Sequence, residues 1–271
     1  MEIIDLKDID LSKFELSKIQ GTTSTVYKKD DICLNLIDKI PQEDKKILLY
    51  KFLEMDGIEL DDVLLPKILI MKDGNLEGYT MDNFKNSINM LDYLASTRYI
   101  NCKYILENVK KASLILREIH KKEIICLDLS FDNILIDNNG NIKYSDIDGC
   151  CYKDYNSNYI SILLRNFLRI YRKDYEIGIS ENLDRISFML SFYLVMYLRE
   201  IQTLNRRKYN KLANHINTLN NTREFANILV DRTKPISEIP YLDELIDEKD
   251  DCIIDRFKQL PLKEKIKRII Y

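Results

Sequence analysis

The sequence predicts an α+β protein in which a small sheet with one helix precedes a larger, mainly helical part. Three observations support this class. Short runs of β-branched and aromatic residues, separated by turn residues, occupy much of the first 84 positions. Helical spacing of apolar residues dominates the remainder of the chain. An Asn-Gly pair, the strongest short signal for a hairpin turn, joins two short apolar strands at Asn139-Gly140.

The N-terminal part begins with three predicted strands, FELSKIQ, STVYKK and ICLNLI. The turn KKDD separates the last two, which predicts antiparallel pairing. Pro41 precedes QEDKKILLYKFLEM, whose apolar residues fall on one side of a helix. Two further strands flank an Asp-Gly turn. The predicted elements are strands within 14–37, a helix at 42–55, and strands at 64–73 and 76–84.

The second part carries three marked helical patterns. YILENVKKASLILREIH, residues 104–120, is amphipathic. NYISILLRNFLRIYRK, residues 158–173, is interpreted as a core-packing helix, with docking to a partner as the alternative. ISFMLSFYLVMYL, residues 186–198, is too short to span a bilayer and predicts a buried core helix. We therefore predict two domains, residues 1–84 and 85–271.

Composition narrows the class of protein. Of 271 residues, 45% are hydrophobic and 31% charged, which is typical of a soluble globular protein. The net charge of −3 argues against a nucleic-acid partner. Six scattered cysteines without a C-x-x-C pair, and two histidines, argue against structural zinc and for buried thiols in a reducing compartment. The N-terminus lacks a signal-peptide pattern, so we expect a cytoplasmic protein without a membrane span.

The hairpin at residues 126–149 places oxygen-bearing side chains together. With Asn139 and Gly140 as a two-residue turn, the predicted register places Asn133 opposite Asp146, and Asp128 lies on the loop leading in. Carboxylate and amide oxygens on a rigid support suit Mg²⁺ with bound phosphates. A bare structural turn, in which Asp and Asn act only as turn formers, is an equally open interpretation.

This stretch resembles the catalytic core of the protein-kinase-like family. Asp128-Leu129-Ser130-Phe131-Asp132-Asn133 is similar to the D-L-x-x-x-N catalytic loop, and Asp146-Ile147-Asp148-Gly149 corresponds to D-F-G. The resemblance implies a bilobal protein-kinase-like fold, with residues 1–84 and 85–271 as its N- and C-lobes. It also implies that Asp128 accepts or orients the substrate hydroxyl proton, while Asn133 and Asp146 hold the Mg²⁺ that bridges the phosphates of ATP.

The resemblance extends to a nucleotide site in the N-terminal part. The segment beginning at Gly21 resembles the glycine-rich loop over the phosphates, with Ser24 at another of its glycine positions. Met81 resembles the gatekeeper, and Asp82-Asn83-Phe84 the hinge whose backbone would hold adenine. Asp184 resembles the aspartate that braces the catalytic loop from below, with a helix N-cap as the alternative role.

The sequence departs from the family pattern at several positions. Asn35 stands where the family has a phosphate-gripping lysine, and Glu54 stands at the position of that lysine's partner. An amide cannot supply the missing charge, so Lys28 and Lys39 are candidates for a relocated lysine. The histidine and arginine of the catalytic loop, the lysine two residues after the catalytic aspartate, and the A-P-E signature are also absent. The corresponding catalytic-loop residues are Cys126, Leu127 and Ser130.

Three functions remain open at this point. The first is an ATP-dependent phosphotransferase acting on a protein hydroxyl, implied by Asp128, Asn133 and Asp146. The second is a pseudokinase that binds a nucleotide or a partner as a scaffold or switch, implied by Asn35. The third is a kinase for a small hydroxylated molecule, which the absent A-P-E signature leaves possible.

Overall fold

The computed structural model describes most of the chain up to the end of the long apolar helix, together with short segments beyond it. Its residues form an α+β structure with a mixed sheet and several helices, so the predicted class is confirmed. The described residues are 1–17, 21, 23–96, 102–156, 160–161, 164–165, 178–200, 205, 207–208, 210–211 and 241–244. Most of the predicted helix at 158–173 and nearly all of the region after residue 200 lie outside them.

A six-stranded sheet with the strand order β1-β5-β6-β4-β3-β2 dominates the first 82 residues. Neighbouring strands pair antiparallel except β1, which pairs parallel with β5. Asp73 and Gly74 both have positive φ, as the predicted tight turn between β5 and β6 requires. The strands are β1 Glu2–Asp5, β2 Glu15–Leu16, β3 Thr25–Lys29, β4 Ile32–Leu36, β5 Ile68–Lys72 and β6 Asn75–Asp82.

Helix α1, Gln42–Glu54, packs one side against this sheet. Phe52 is fully buried, and its ring meets the ring of Tyr79 edge-on with centroids 5.0 Å apart. Leu48 is buried on the same side of α1. This apolar contact fixes the distance of α1 from strand β6, which carries Tyr79.

The second part combines helices with two small sheets. Strands β10, β9 and β7 form one sheet, and β11 pairs antiparallel with β8 to form the other. The helices are α2 Met90–Ser96, α3 Cys102–Lys121 and α4 Glu181–Glu200. The strands are β7 Ser87–Asn89, β8 Ile124–Ile125, β9 Ile134–Asp137, β10 Ile142–Tyr144 and β11 Cys151–Tyr152. Among the described residues, no helix is both long and apolar enough to cross a membrane.

The predicted hairpin exists, but its predicted register was wrong by one residue. Ile136 pairs with Ile142, and the Asp137 N–H donates to Asn141 O at 3.0 Å, so residues 138–140 form a three-residue loop in which Gly140 has φ +79°. Asp137 stabilises this longer loop because its side chain accepts the main-chain N–H groups of Asn139 and Asn141 at 2.8 and 2.9 Å. The observed register keeps the buried residues of both strands on one face, which the predicted one does not.

Candidate functional site

Asp184 holds the loop that precedes Asp128. It lies in the first turn of α4 and is fully buried. Its Oδ2 accepts the main-chain N–H of Cys126 at 2.6 Å, and its Oδ1 accepts that of Leu127 at 2.8 Å. Leu127 has a left-handed backbone with φ +52°, a conformation that a leucine keeps only when its surroundings impose it. The predicted bracing role of Asp184 is therefore confirmed.

The brace continues away from the loop through His120. Its Nε2 lies 3.0 Å from Asp184 Oδ2, and its Nδ1 lies 2.8 Å from the Tyr241 hydroxyl. A carboxylate accepts but does not donate, so Nε2 carries the proton toward Asp184. The guanidinium carbons of Arg117 and Arg185 lie 4.3 and 3.9 Å from the ring centroid of Tyr241, so both cations contact this ring. We call His120, Asp184 and Tyr241 the loop brace.

The loop itself is anchored on both sides of Asp128. Leu129 accepts a hydrogen bond from Ser187 Oγ at 2.6 Å, and Phe131 packs edge-on against Phe188 with ring centroids 5.4 Å apart. Asn133 Nδ2 donates to the carbonyl of Asp128 at 2.8 Å. The amide nitrogen of Asn133 is thus used within the loop, which leaves its Oδ1 as the atom that would meet a cation.

Asp146 directly follows the residue that pairs with Asn133. Asn133 O accepts the N–H of Ser145 at 2.9 Å, so Asn133 lies opposite Ser145, and the predicted pairing of Asn133 with Asp146 was wrong by one residue. The Asp146 carboxylate and the Asn133 amide therefore do not face each other as a cross-strand pair. Asp146 adopts a left-handed backbone, φ 64° and ψ 42°, as it leads into a 3₁₀ turn over Ile147–Gly149. Aspartate adopts this conformation more readily than most non-glycine residues do, and here it begins the turn, as Asp73 does between β5 and β6.

Asp128, Asp146 and Asp148 form an acidic cluster. Desolvation, then the charge of Asp148 and a hydrogen bond with it, then the charge of Asp128, raise the pKa of Asp146 well above its usual value. Asp146 is nevertheless exposed, so solvent reaches it and weakens these effects on its pKa. Burial and then Asp148 also raise the pKa of Asp128, whereas the charge of Arg165 acts to lower it.

The acidic cluster does not by itself make a metal centre. Among the residues that the structure describes, no group of three or more His, Cys, Asp or Glu side chains could hold a metal ion. Oxygen atoms of carboxylates and of the Asn133 amide are nevertheless the ligand types that Mg²⁺ prefers. A cation here would therefore need further oxygen ligands, such as the phosphates of a nucleotide.

Asn35 lies on the face of the sheet that carries Tyr79. It is 3% exposed, and its Nδ2 donates to Met81 Sδ at 3.7 Å. Strand pairing sets it between Val26 and Tyr79. The pKa of Tyr79 is raised well above its usual value, first by burial and then by the charges of Asp148 and Asp146, although a hydrogen bond with Asn35 acts to lower it. Asn35, which stands where a lysine is expected, is therefore a buried neutral residue next to Tyr79, and Tyr79 lies within electrostatic range of the acidic cluster.

Lys39 lies at the segment expected to cover the phosphates. Its Nζ donates to the carbonyls of Gly21 and Ser24 at 3.1 and 3.2 Å. A Cβ at Gly21 would lie 2.6 Å from Ser24 Oγ, so the glycine permits this close turn. Of the two candidates for a relocated lysine, Lys39 is the one whose ammonium group contacts this segment. Lys28 pairs with Cys33 in the sheet.

The hinge residues are held by the β3–β4 turn. The main-chain N–H of Asn83 donates to Asp31 O at 2.8 Å, and its side chain donates to Asp30 O at 2.9 Å. The Asn83 N–H is therefore not available to a ligand in this conformation. Asp82 is exposed and forms an ion pair with Lys67 at 2.7 Å.

Glu54 is not directed at Asn35. It lies at the end of α1, and its half-exposed carboxylate contacts Lys153 at 2.6 Å. One turn earlier, Lys51 is 4% exposed and donates to the carbonyl oxygens of Asp148 and Cys150. The sequence interpretation missed Lys51, although a signal was present. Lys51 falls between Leu48 and Met55 on the apolar side of the predicted helix, where a solvated lysine is not expected.

Comparison with known proteins gives a distant similarity. No protein-family model matches the chain. Serine/threonine-protein kinase CLA4 of Candida albicans is 28% identical over 155 residues, covering 48% of this chain and 14% of that kinase. The same kinase from Candida albicans strain SC5314 gives the same values. The chain therefore matches a small fraction of each relative's length, and the similarity supports a kinase-like relationship at most.

Proposed function

We propose that the protein is a protein-kinase-like phosphotransferase that moves the γ-phosphate of ATP to a hydroxyl group, on a protein serine or threonine. The observation that carries the proposal is the buried carboxylate of Asp184, which holds the main chain of the loop directly before Asp128. Residues 1–84 and 85–271 would then be the two lobes of a bilobal kinase-like fold. Free, buried cysteines such as Cys126 and Cys150 support a reducing, cytoplasmic setting.

In this proposal each polar group has a distinct task. Asp128 accepts or orients the proton of the acceptor hydroxyl, a task suited to a carboxylate whose pKa is raised by burial and by Asp148. Asn133 Oδ1 and the Asp146 carboxylate would hold Mg²⁺, which neutralises phosphate charge when bound. Gly21 and Ser24 would cover the phosphates. Met81 and the main chain at Asp82 and Asn83 would border the base.

The alternative function is a nucleotide-binding pseudokinase that works as a switch or scaffold. It is supported by Asn35, which is buried against Met81 and brings no positive charge to the phosphates. A kinase for a small hydroxylated molecule remains the second alternative, because the proposed chemistry at Asp128 is the same for either acceptor.

The proposal is tested by adding ATP and Mg²⁺ separately and together. Thermal unfolding of the protein is measured with ATP, with ATP and Mg²⁺, and with Mg²⁺ only, and labelled ATP is then offered with protein and small-molecule acceptors. We expect a Mg²⁺-dependent rise of the unfolding midpoint with ATP, together with transfer of label, and neither in Asp146→Ala. A rise without transfer would favour the pseudokinase. No response to ATP under any condition would reject both nucleotide functions.

Restoring the missing charge should strengthen nucleotide binding. We expect Asn35→Lys to tighten ATP binding by about tenfold or more, because a charge-assisted hydrogen bond contributes about 1.5–3 kcal/mol. Asn138→Lys, at an exposed position in the hairpin loop, adds the same charge elsewhere and should leave the affinity unchanged. Isothermal titration with ATP and Mg²⁺ measures both variants. If affinity stays constant in Asn35→Lys, another cation already serves the phosphates, and Lys39→Met should then lower it.

A further inference from the structure

Lys51 is buried where lysines are rarely found. Its side chain extends from α1 into the interior, and its Nζ donates to the carbonyl of Asp148 and, at 2.8 Å, to that of Cys150. Burying an ammonium group is costly unless hydrogen bonds satisfy it, and here two main-chain carbonyls do so. The contact joins residues almost 100 positions apart in the chain.

The two acceptors belong to the segment that positions Asp146. Asp148 lies in the 3₁₀ turn that Asp146 opens, and Cys150 connects this turn to β11. Strand β11 pairs with β8, which runs directly into the loop that carries Asp128. Lys51 therefore holds the segment between the proposed metal ligand and a strand that is itself tied to the catalytic loop.

A second contact joins the same two parts of the chain. Glu54, three residues after Lys51 and on a neighbouring position of the helix surface, meets Lys153 at 2.6 Å. Both groups of this pair are about half exposed, so water and salt weaken it. The buried contact of Lys51 is the stronger constraint, and the exposed pair lies just beyond it on the solvent side.

We infer that Lys51 is a positioning residue that ties α1 to the 147–150 turn and so fixes the placement of Asp146. Lys51 acts through this turn and does not contact the nucleotide. The consequence for metal-assisted nucleotide binding rests on the proposed function, whereas the tie between α1 and the turn does not.

The coupling is tested first without any ligand, by hydrogen exchange. In Lys51→Met, two carbonyls lose their donor, and we expect faster amide exchange in residues 147–152 than in the wild type. Lys46→Met, which alters an exposed lysine of the same helix, should leave exchange there unchanged. Equal exchange in the wild type and in Lys51→Met would overturn the inference. If Lys51→Met does not fold, Lys51→Gln is measured in its place. We again expect faster amide exchange in residues 147–152, and exchange equal to that of the wild type would again overturn the inference.

The consequence for the site is tested by titrating Mg²⁺ against the unfolding midpoint in the presence of ATP. We expect Lys51→Met to raise by about tenfold the Mg²⁺ concentration that gives half of the rise in unfolding midpoint. The rise with ATP alone should be retained. Lys51→Arg should recover part of the lost response to Mg²⁺. If Lys51→Met weakened the response of the unfolding midpoint to ATP equally with and without Mg²⁺, the positioning role would be overturned. If the wild type shows no response to ATP at all, the proposed function fails, while the exchange result still decides the coupling.

Discussion

Replacing Asp184 by asparagine is expected to lower the free energy of unfolding by about 3 kcal/mol or more, the usual cost of breaking a buried charged contact. The carboxylate is fully buried and accepts three contacts, from the N–H groups of Cys126 and Leu127 and from His120. An asparagine side chain of the same shape has one oxygen, so its NH₂ group would face a donor. Urea unfolding followed by circular dichroism measures the loss.

The matched control is Asp154→Asn, which makes the same chemical change at an exposed position in the turn after β11. It should change stability by less than about 0.5 kcal/mol. If Asp184→Asn were equally mild, the loop before Asp128 would be held by its own packing and not by the brace. The left-handed Leu127 makes that outcome unexpected, because its backbone conformation needs an outside constraint.

Replacing Asp146 by asparagine is expected to have two opposite effects. The variant should lose the Mg²⁺-dependent response to ATP, and any phosphotransfer should fall by about 100-fold or more, because the proposed function assigns the charge of Asp146 to the metal and phosphates. The ligand-free protein should become slightly more stable at neutral pH, because partial desolvation and the charges of Asp148 and Asp128 disfavour the charged form of Asp146, while solvent at this exposed residue weakens the effect. A thermal scan with and without ATP and Mg²⁺ measures both effects.

The pH dependence of stability tests the expected gain in stability of the ligand-free Asp146→Asn variant. The folded-state pKa of Asp146 is raised above 3.8, so the favourable contribution of its protonated form is complete below that pH and is lost as pH rises through the folded-state pKa. Asp146→Asn lacks this loss, so its stability advantage should grow from acid toward neutral pH. A constant difference between variant and wild type would contradict the crowding of carboxylates.

Asp137 is a control residue, because its contribution to stability should change with pH in the opposite direction to that of Asp146. Although desolvation acts to raise its pKa, hydrogen bonds from Asn141 and Asn139 lower it below the usual value. Its contribution to stability is therefore present above the unfolded-state pKa and lost as pH falls. Asp137→Asn should be less stable than the wild type at neutral pH, and the difference should shrink on acidification.

The sequence patterns correctly predicted the helices whose limits depend on residues close to them in the chain. Helices α1 and α3 begin and end within two residues of their predicted limits, since apolar spacing and flanking residues determine both. Strand β1 escaped prediction because its partner, β5, is more than 60 residues away and pairs with it in parallel. The hairpin register was wrong because the Asn-Gly signal says nothing of the Asp137 side chain, which stabilises a longer loop.

In the candidate site as well, residues close together in sequence could be predicted, whereas a residue held by distant main-chain contacts could not. Asp128, Asn133 and Asp146 were found because they lie within one short stretch of sequence. Asp184 was found by resemblance, and its hydrogen bonds to Cys126 and Leu127 agree with that role. Lys51 was missed because its partners are main-chain carbonyls, which leave no trace in the side-chain pattern.

Tyr241 ties the catalytic-type loop to a late part of the chain. A fragment cut before Tyr241 would contain every residue of the resemblance, yet His120 would lose its hydroxyl partner and Arg117 its carboxylate partner Asp243. The boundaries of an independently folding unit therefore cannot be drawn from the motifs alone.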